Sequence, residues 1–338
     1  MKRRVNIAVI GTGRIGSMHT RNLVHSIHEA NVMAICDIRL EVAQAVADEL
    51  GIERVVIDYH ELLEDKDIEA VLIATNTDTH AFIVKDATKA GKQVFCEKPL
   101  ALDLADIDDV MKKVESTGVK LQVGYNRRFD KSFQRVRRIV MSGEIGHPCI
   151  LHITNRDPEP PSLEYAKSSG GMFLDMSIHD FDMVRFQIGE VEEVYAIGSV
   201  LVAPYLKDIG DVDVDIVSLR FANGAVGAID NSRKCVYGYD QRLEVFCSNG
   251  TALAGNEFEN TAIKGDNMGY HSARVPYSFI ERYAECYIDE VCQFVQCVRD
   301  DKPVSPTGYD SRASVLLGLA AWESFRQNRP ISMKEFNG

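Results

Sequence analysis

The sequence predicts an α/β protein: an N-terminal doubly wound parallel sheet of the Rossmann type, then an α+β domain on an open, mainly antiparallel sheet. Three observations carry that expectation. Over the first 125 residues, short runs rich in Val, Ile and Ala alternate with stretches of helical periodicity. These runs are apolar throughout, as strands buried on both faces beneath helices must be. Beyond residue 148 the runs alternate in polarity and are joined by Asn-Gly pairs, which signal antiparallel hairpins with one solvated face.

The elements follow in order. Val5–Ile10 is the first expected strand, with a helix over 14–27 after it. Strand 32–37 leads to helix 40–50, strand 55–57 comes next, and strand 71–75 precedes helix 79–90. Strand 93–96, helix 104–116 and strand 120–124 complete the parallel series. A helix over 131–142 opens the second half. Strands are expected over 148–154, 194–202, 214–221, 225–231, 242–247 and 251–254, with one helix over 176–188 inserted early. Asn223-Gly224 and Asn249-Gly250 mark tight turns. Helices over 279–299 and 311–327 finish the chain, giving two expected domains, 1–125 and 126–338.

Composition excludes several functions. The 338 residues carry 38 Lys and Arg against 50 Asp and Glu, a net charge of −12, which argues against nucleic acid as a partner. No run approaches the ~18–20 apolar residues of a membrane span. Met1-Lys2-Arg3-Arg4 resembles the start of a signal peptide, but Gly11 ends the apolar run that follows. That run reads as a buried strand, and a cytoplasmic location is expected. None of the eight cysteines forms a C-x-x-C pair, so free thiols and no bound metal are expected.

Gly11-Thr12-Gly13-Arg14-Ile15-Gly16 is a G-x-G-x-x-G loop between an expected strand and helix. Gly11 permits the tight turn, Gly13 lets backbone approach a pyrophosphate, and Gly16 lets the helix pack against the strand. The N–H groups of the helix start, at Arg14 and Ile15, meet the diphosphate without needing a basic side chain. Asp37, twenty-one residues after Gly16, suits the ribose hydroxyls and repels a 2′-phosphate, which favours NAD. Arg39 could neutralise Asp37 or bind that phosphate, leaving NADP as a secondary cofactor.

Two further stretches carry chemistry. Lys98, in Cys96-Glu97-Lys98-Pro99, follows an apolar strand and stands where α/β sheets bind ligands. It reads either as a donor to a substrate hydroxyl or as a solvated surface lysine. Asp175 and His179 lie four residues apart after Gly170-Gly171, so on a helix they share a face. A histidine on an apolar helix face is more often a core residue, but the carboxylate able to orient an imidazole acting as base, the preceding Gly-Gly and the glycine loop favour the catalytic reading. Asp182 and Arg185 read as members of helix-surface pairs. Arg127-Arg128 reads as a salt-bridge cluster or as a substrate-facing arginine.

Together these residues resemble the glucose–fructose oxidoreductase/inositol dehydrogenase family (Gfo/Idh/MocA), over essentially the whole chain. The carriers are the glycine loop, Thr75-Asn76-Thr77-Asp78-Thr79-His80, Glu97-Lys98-Pro99, Gly124-Tyr125-Asn126-Arg127-Arg128-Phe129-Asp130 and the Asp175/His179 stretch. The last two are similar to the inositol 2-dehydrogenase branch. The resemblance implies NAD-dependent oxidation of a secondary alcohol of a cyclitol, foremost myo-inositol to scyllo-inosose. Another inositol isomer, an aldose, or an idle NAD-binding sensor are the alternatives. It implies Lys98, Asp175 and His179 as the catalytic group, and Thr75, Asn76 and His80 beside the nicotinamide, with Glu97 near the ribose. Arg128, Asp157, Tyr239 and Tyr287 would surround the polyol, and the second domains would assemble a homotetramer. Asn76-Thr77-Asp78 departs from the Asn-Pro or Gly-Pro usual in the family at that loop.

Overall fold

The computed structural model describes residues 3–336. Among them the chain forms two compact units, residues 3–126 with 285–315 and residues 127–284 with 316–336.

The first unit holds β1 (Val5–Ile10), β2 (Ala30–Cys36), β3 (Val55–Val56), β4 (Ala70–Ile73), β5 (Gln93–Glu97) and β6 (Leu121–Gly124) in the order β3-β2-β1-β4-β5-β6, all parallel. Between them lie α1 (Arg14–His25), α2 (Leu40–Leu50), α3 (His60–Glu64), α4 (Thr77–Lys89) and α5 (Leu104–Thr117). The order reverses between β1 and β4, so the crevice beyond their carboxyl ends is the binding position of such sheets. The apolar strands bury Val5, Ile7, Val9, Ile35, Leu72 and Phe95 against Leu23 and Ile27. At roughly 25 cal/mol per Å² of apolar surface, that core is the main source of the unit's stability.

The second unit begins with α6 (Lys131–Ser142) and carries α7 (Leu163–Ser169), α8 (Ile178–Gln187) and α9 (Phe279–Arg282). Its main sheet comprises β7 (Pro148–Arg156), β8 (Val191–Ser199), β9 (Val214–Phe221), β10 (Val226–Ser232), β11 (Asp240–Cys247) and β12 (Gly250–Ala254). A separate hairpin pairs β13 (Ile263–Asp266) with β14 (Gly269–Ser272), and β15 (Ile331–Ser332) completes the main sheet. The order is β12-β11-β7-β10-β9-β8-β15, antiparallel except where β7 meets β10. Both Asn-Gly pairs stand at hairpin turns, between β9 and β10 and between β11 and β12.

Two expected helices differ in form. The one over 176–188 is α8, preceded by a π-helical turn, Met172–Met176, whose Met172 carbonyl accepts the Ser177 amide at 2.9 Å. Gly171 opens that turn at φ +73°, and a side chain there would collide with Asp211 and Trp322. The one over 279–299 breaks at Tyr283, which leaves helical geometry to bury its ring and donate to Gln241 Oε1 at 3.2 Å. Past the break, α10 (Ala284–Arg299) adds Val291, Phe294 and Val295 to the core of the first unit. α11 (Gly308–Gln327) follows.

Candidate active site

The glycine loop behaves as its residue types require. Gly11 has φ +93°, and a Cβ there would meet the Ala74 carbonyl oxygen at 2.6 Å, so only glycine allows β1 and β4 to end this close. A Cβ at Gly16 would stand 1.9 Å from the Gly11 carbonyl oxygen. Gly13, by contrast, faces open space and brings no side chain to cap α1. This half-buried turn before an uncapped helix start, with exposed Arg14 and half-buried Ile15, fits a diphosphate.

Asp37 follows β2. Its Oδ2 accepts the Thr12 amide at 2.8 Å and the Thr12 hydroxyl at 3.0 Å, and its Oδ1 accepts the Arg39 amide at 2.9 Å. Burial pushes the carboxyl up, but the Arg39 and Thr12 bonds outweigh it and hold it below its ordinary value. It is a carboxylate at neutral pH. The exposed Arg39 side chain lies 3.5 Å away.

After β4, Thr75 shares a 2.6 Å hydroxyl contact with Thr79, and exposed Asn76 starts α4. His80 is buried, its Nδ1 2.8 Å from the Pro99 carbonyl oxygen and its Nε2 3.2 Å from that of Thr75. Burial lowers its pKa despite those carbonyls, so the ring is a neutral strut joining the loops that carry Asn76 and Lys98. Lys98 leaves β5 half-buried, and its amide donates to Glu97 Oε2 at 3.3 Å. Glu97 itself is buried, with Oε1 2.7 Å from His19 Nε2. Tyr287, on α10, belongs to this unit, its ring 5.6 Å from that of His19 and edge-on to it.

The second unit holds Asp175 and His179, half-buried among buried neighbours. Asp175 lies in the π-turn and His179 in α8, so no single α-helical face carries them as the spacing predicts. π-turns recur where a fold aims a functional side chain. Asp175 is held from both sides: Tyr165 donates to Oδ1 at 2.9 Å, and Arg233 Nη1 reaches Oδ2 at 3.1 Å. The same Arg233 nitrogen lies 3.6 Å from Asp157 Oδ2. Burial opposes the charge of Arg233, but Asp175, then Asp157 and Asp211, outweigh it.

Arg127 and Arg128 both form ion pairs. Arg127 donates to Asp180 at 2.6 Å and to the Tyr239 hydroxyl at 3.1 Å. Burial pushes the Tyr239 phenol up, to about 12. Arg128 grips Asp182 with two bonds, at 2.8 and 2.6 Å. Asp182 is therefore buried in an ion pair, not on a helix surface, because α8 turns it under the Arg128 fork. Arg185 does make the surface pair, with Glu190.

The geometry joins Asp157 to Asp175 through Arg233, and Tyr239 to Arg127. Sequence reasoning missed Arg233, Tyr165, His19 and Glu290. Arg233 stands just past the end of β10 in no motif, and its partner is 58 residues away. His19 had a signal: a polar residue on the buried face of α1, one turn past Gly16.

Residues 5–125 match the family model described as an oxidoreductase family with an NAD-binding Rossmann fold, and residues 133–253 match the GFO/IDH/MocA C-terminal domain. The myo-inositol 2-dehydrogenase of Thermotoga maritima is 46% identical, over 99% of this chain and 100% of that one. The scyllo-inositol 2-dehydrogenase (NAD(+)) of Bacillus subtilis is 38% identical, over 98% and 97%. The crystal structure of a myo-inositol dehydrogenase from Lactobacillus casei, in complex with NAD(H) and myo-inositol, superposes with a TM-score of 0.89 at 26% identity, covering 97% of this chain and 96% of that one.

Proposed function

The chain belongs to the GFO/IDH/MocA oxidoreductase family, and we propose that it oxidises a ring hydroxyl of an inositol, foremost myo-inositol to scyllo-inosose, with NAD. Similarity to myo- and scyllo-inositol dehydrogenases over nearly the full chain carries this reading. The glycine turn, the uncapped start of α1 and the Asp37 carboxylate fit NAD, and exposed Arg39 leaves room for NADP as a secondary cofactor.

Bound NAD supplies the acceptor for the carbinol hydride. The remaining chemistry belongs to side chains. His179 takes the hydroxyl proton as general base, and the Asp175 charge stabilises the imidazolium that forms. Lys98 donates to the same oxygen and offsets its growing negative charge until the C=O bond is complete. Thr75, Asn76 and Glu97 stand on the cofactor side, with His80 bracing their loop. Asp157, Tyr239 and Tyr287 present polar groups to the polyol, and Arg128 serves by its grip on Asp182.

The second unit's sheet supports a homotetramer. Phe246, Ile150 and Val226 form one outward row across paired strands, and Ile216 with Ile197 a second, all exposed. Exposed apolar rows on one sheet face, here separated by His152 and Ser218, are the kind of surface that a second subunit would cover. No helix among the described residues is long and apolar enough to cross a membrane. We assign the protein to the cytoplasm and to inositol catabolism on the same reading.

Initial rates of NADH formation with myo-, scyllo- and chiro-inositol and glucose test it. Myo-inositol should give the highest kcat/KM. A faster scyllo-inositol moves the assignment to that isomer, which its relatives also include. Glucose preferred over every inositol, or NADH binding with no turnover at all, overturns it.

A further inference from the structure

Beside the proposed cofactor side, the first unit buries three ionisable side chains around one point, two of which, His19 and Glu290, have no part in the reaction proposed above. His19 on α1, Glu97 at the end of β5 and Glu290 on α10 bring one nitrogen or oxygen each within 4.8 Å of one another. Glu97 is clamped: His19 Nε2 stands 2.7 Å from Oε1, and the Lys98 amide donates to Oε2 at 3.3 Å. On the adjacent strand, a Cβ at Gly124 would come within 3.1 Å of Oε1, so a glycine leaves the carboxylate its place.

Glu290 is different. It is wholly buried, and neither of its oxygens has a hydrogen-bond partner among the described residues, nor has His19 Nδ1. Two carboxylates this close and this dry cannot both stay charged without compensation, by a proton or by a cation. The geometry favours the proton. Two donors on one ion, each ~2.0–2.2 Å from it, stand about 3 Å or more apart, whereas His19 and Glu97 are already at hydrogen-bond length. Burial, and after it the Glu97 charge, pushes the Glu290 carboxyl well above the ordinary range.

We propose that Glu290 is a positioning residue for Lys98: together with His19 it holds the Glu97 carboxylate on the Lys98 amide, and so sets the direction in which Lys98 leaves the strand. As a neutral acid Glu290 can donate, and one of its oxygens lies within 4.8 Å of a Glu97 oxygen that can accept. The inference rests on the reading of Lys98 as the group that donates to the reacting oxygen.

The test compares Glu290→Gln with Glu290→Leu in the full chain, counting turnover per NADH-binding site. Gln keeps a neutral donor of the same shape, so kcat should stay within about threefold; Leu keeps bulk without a donor, so kcat should fall about tenfold or more with the NADH Kd little changed. A purely structural carboxyl would lower the melting temperature without separating kcat from cofactor binding. Equal kcat in all three proteins, or equal loss in both variants, overturns the proposal. Should the Leu variant fail to fold, infrared difference spectra decide. The carbonyl band of a buried protonated carboxylic acid should be present in the unsubstituted protein and lost in Glu290→Gln, and its absence from the unsubstituted protein refutes the proposal. Stoichiometric metal kept through dialysis, with turnover abolished by EDTA, also overturns it. The infrared measurement needs no substrate, so failure of the inositol reading, seen as no polyol turnover in the unsubstituted protein, is distinguishable from failure of this one.

Discussion

Asp37 and Asp175 are held in opposite ways. Asp37 receives main-chain N–H groups from Thr12 and Arg39, one of them only two residues away, with a hydroxyl in support. Asp175 receives side chains alone in the contacts described above, the Tyr165 hydroxyl and the Arg233 guanidinium, 10 and 58 residues distant. Main-chain donors survive almost any substitution that keeps the fold, because every residue except proline carries one. Side-chain donors vanish with a single codon. Asp37, proposed to face the cofactor, is therefore robust to its neighbours, and Asp175, proposed to face the substrate, is tuned by them.

The sharpest way to break this comparison is at His179, the base proposed for Asp175 to serve. His179→Ala should lower kcat/KM by ~10²–10⁴-fold, the usual worth of a general base, while NADH still binds. Stopped-flow turnover beside NADH fluorescence titration checks this; near-normal turnover would remove His179 from the reaction. Next comes the side-chain clamp itself. Arg233→Gln should cost about 10–100-fold in kcat, matching ~1.5–3 kcal/mol for a hydrogen bond to a charged group. Arg233→Lys should recover part of the loss by restoring the charge without the fork. If Arg233→Gln turns over normally in a folded protein, Asp175 does not depend on this partner.

The same contrast explains what could be read before the structure. The parallel sheet of the first unit was legible because its strands are apolar throughout and separated by helices. The glycine loop was legible because its three glycines fall between a strand and a helix at the spacing a dinucleotide turn needs. The Asn-Gly turns placed two hairpins of the second sheet. The π-turn at Met172–Met176 was not legible, since it depends on Gly171 lying against Asp211 and Trp322 from distant segments. Arg233 and Glu290 were hidden for the same reason. Each is an ordinary charged residue, Arg233 just past β10 and Glu290 in α10, and its meaning comes only from what the fold brings beside it. Asp182 was misread as a surface residue because helical spacing shows which residues share a face but not which face is covered.

On the cofactor side, removing the carboxylate should have a smaller effect than removing Arg233. Asp37→Ala should raise kcat/KM with NADP relative to NAD by about tenfold, some 1.4 kcal/mol, since the repulsion of a 2′-phosphate disappears and Arg39 loses its partner. Steady-state rates with both cofactors measure this. An unchanged ratio would mean that another residue reads the ribose. Substituting Thr12 should matter less still, because its amide remains whatever its side chain.

The smallest effect sharpens the comparison most, because it concerns stability alone. His80 bridges two cofactor-side loops through main-chain carbonyls, and burial depresses its pKa below the ordinary ~6.5. As pH falls through that ordinary value, the unfolded chain takes up the proton before the folded one does. Stability of the folded state should therefore decline as pH falls below about 6.5 and be fully present above it. His80→Gln keeps a donor for one carbonyl and has nothing to titrate. Its melting temperature should lie slightly below that of the unsubstituted protein at pH 8, and the gap should close or reverse towards pH 5. Parallel melting curves across that range would show that protonation of His80 is not what couples these loops to pH.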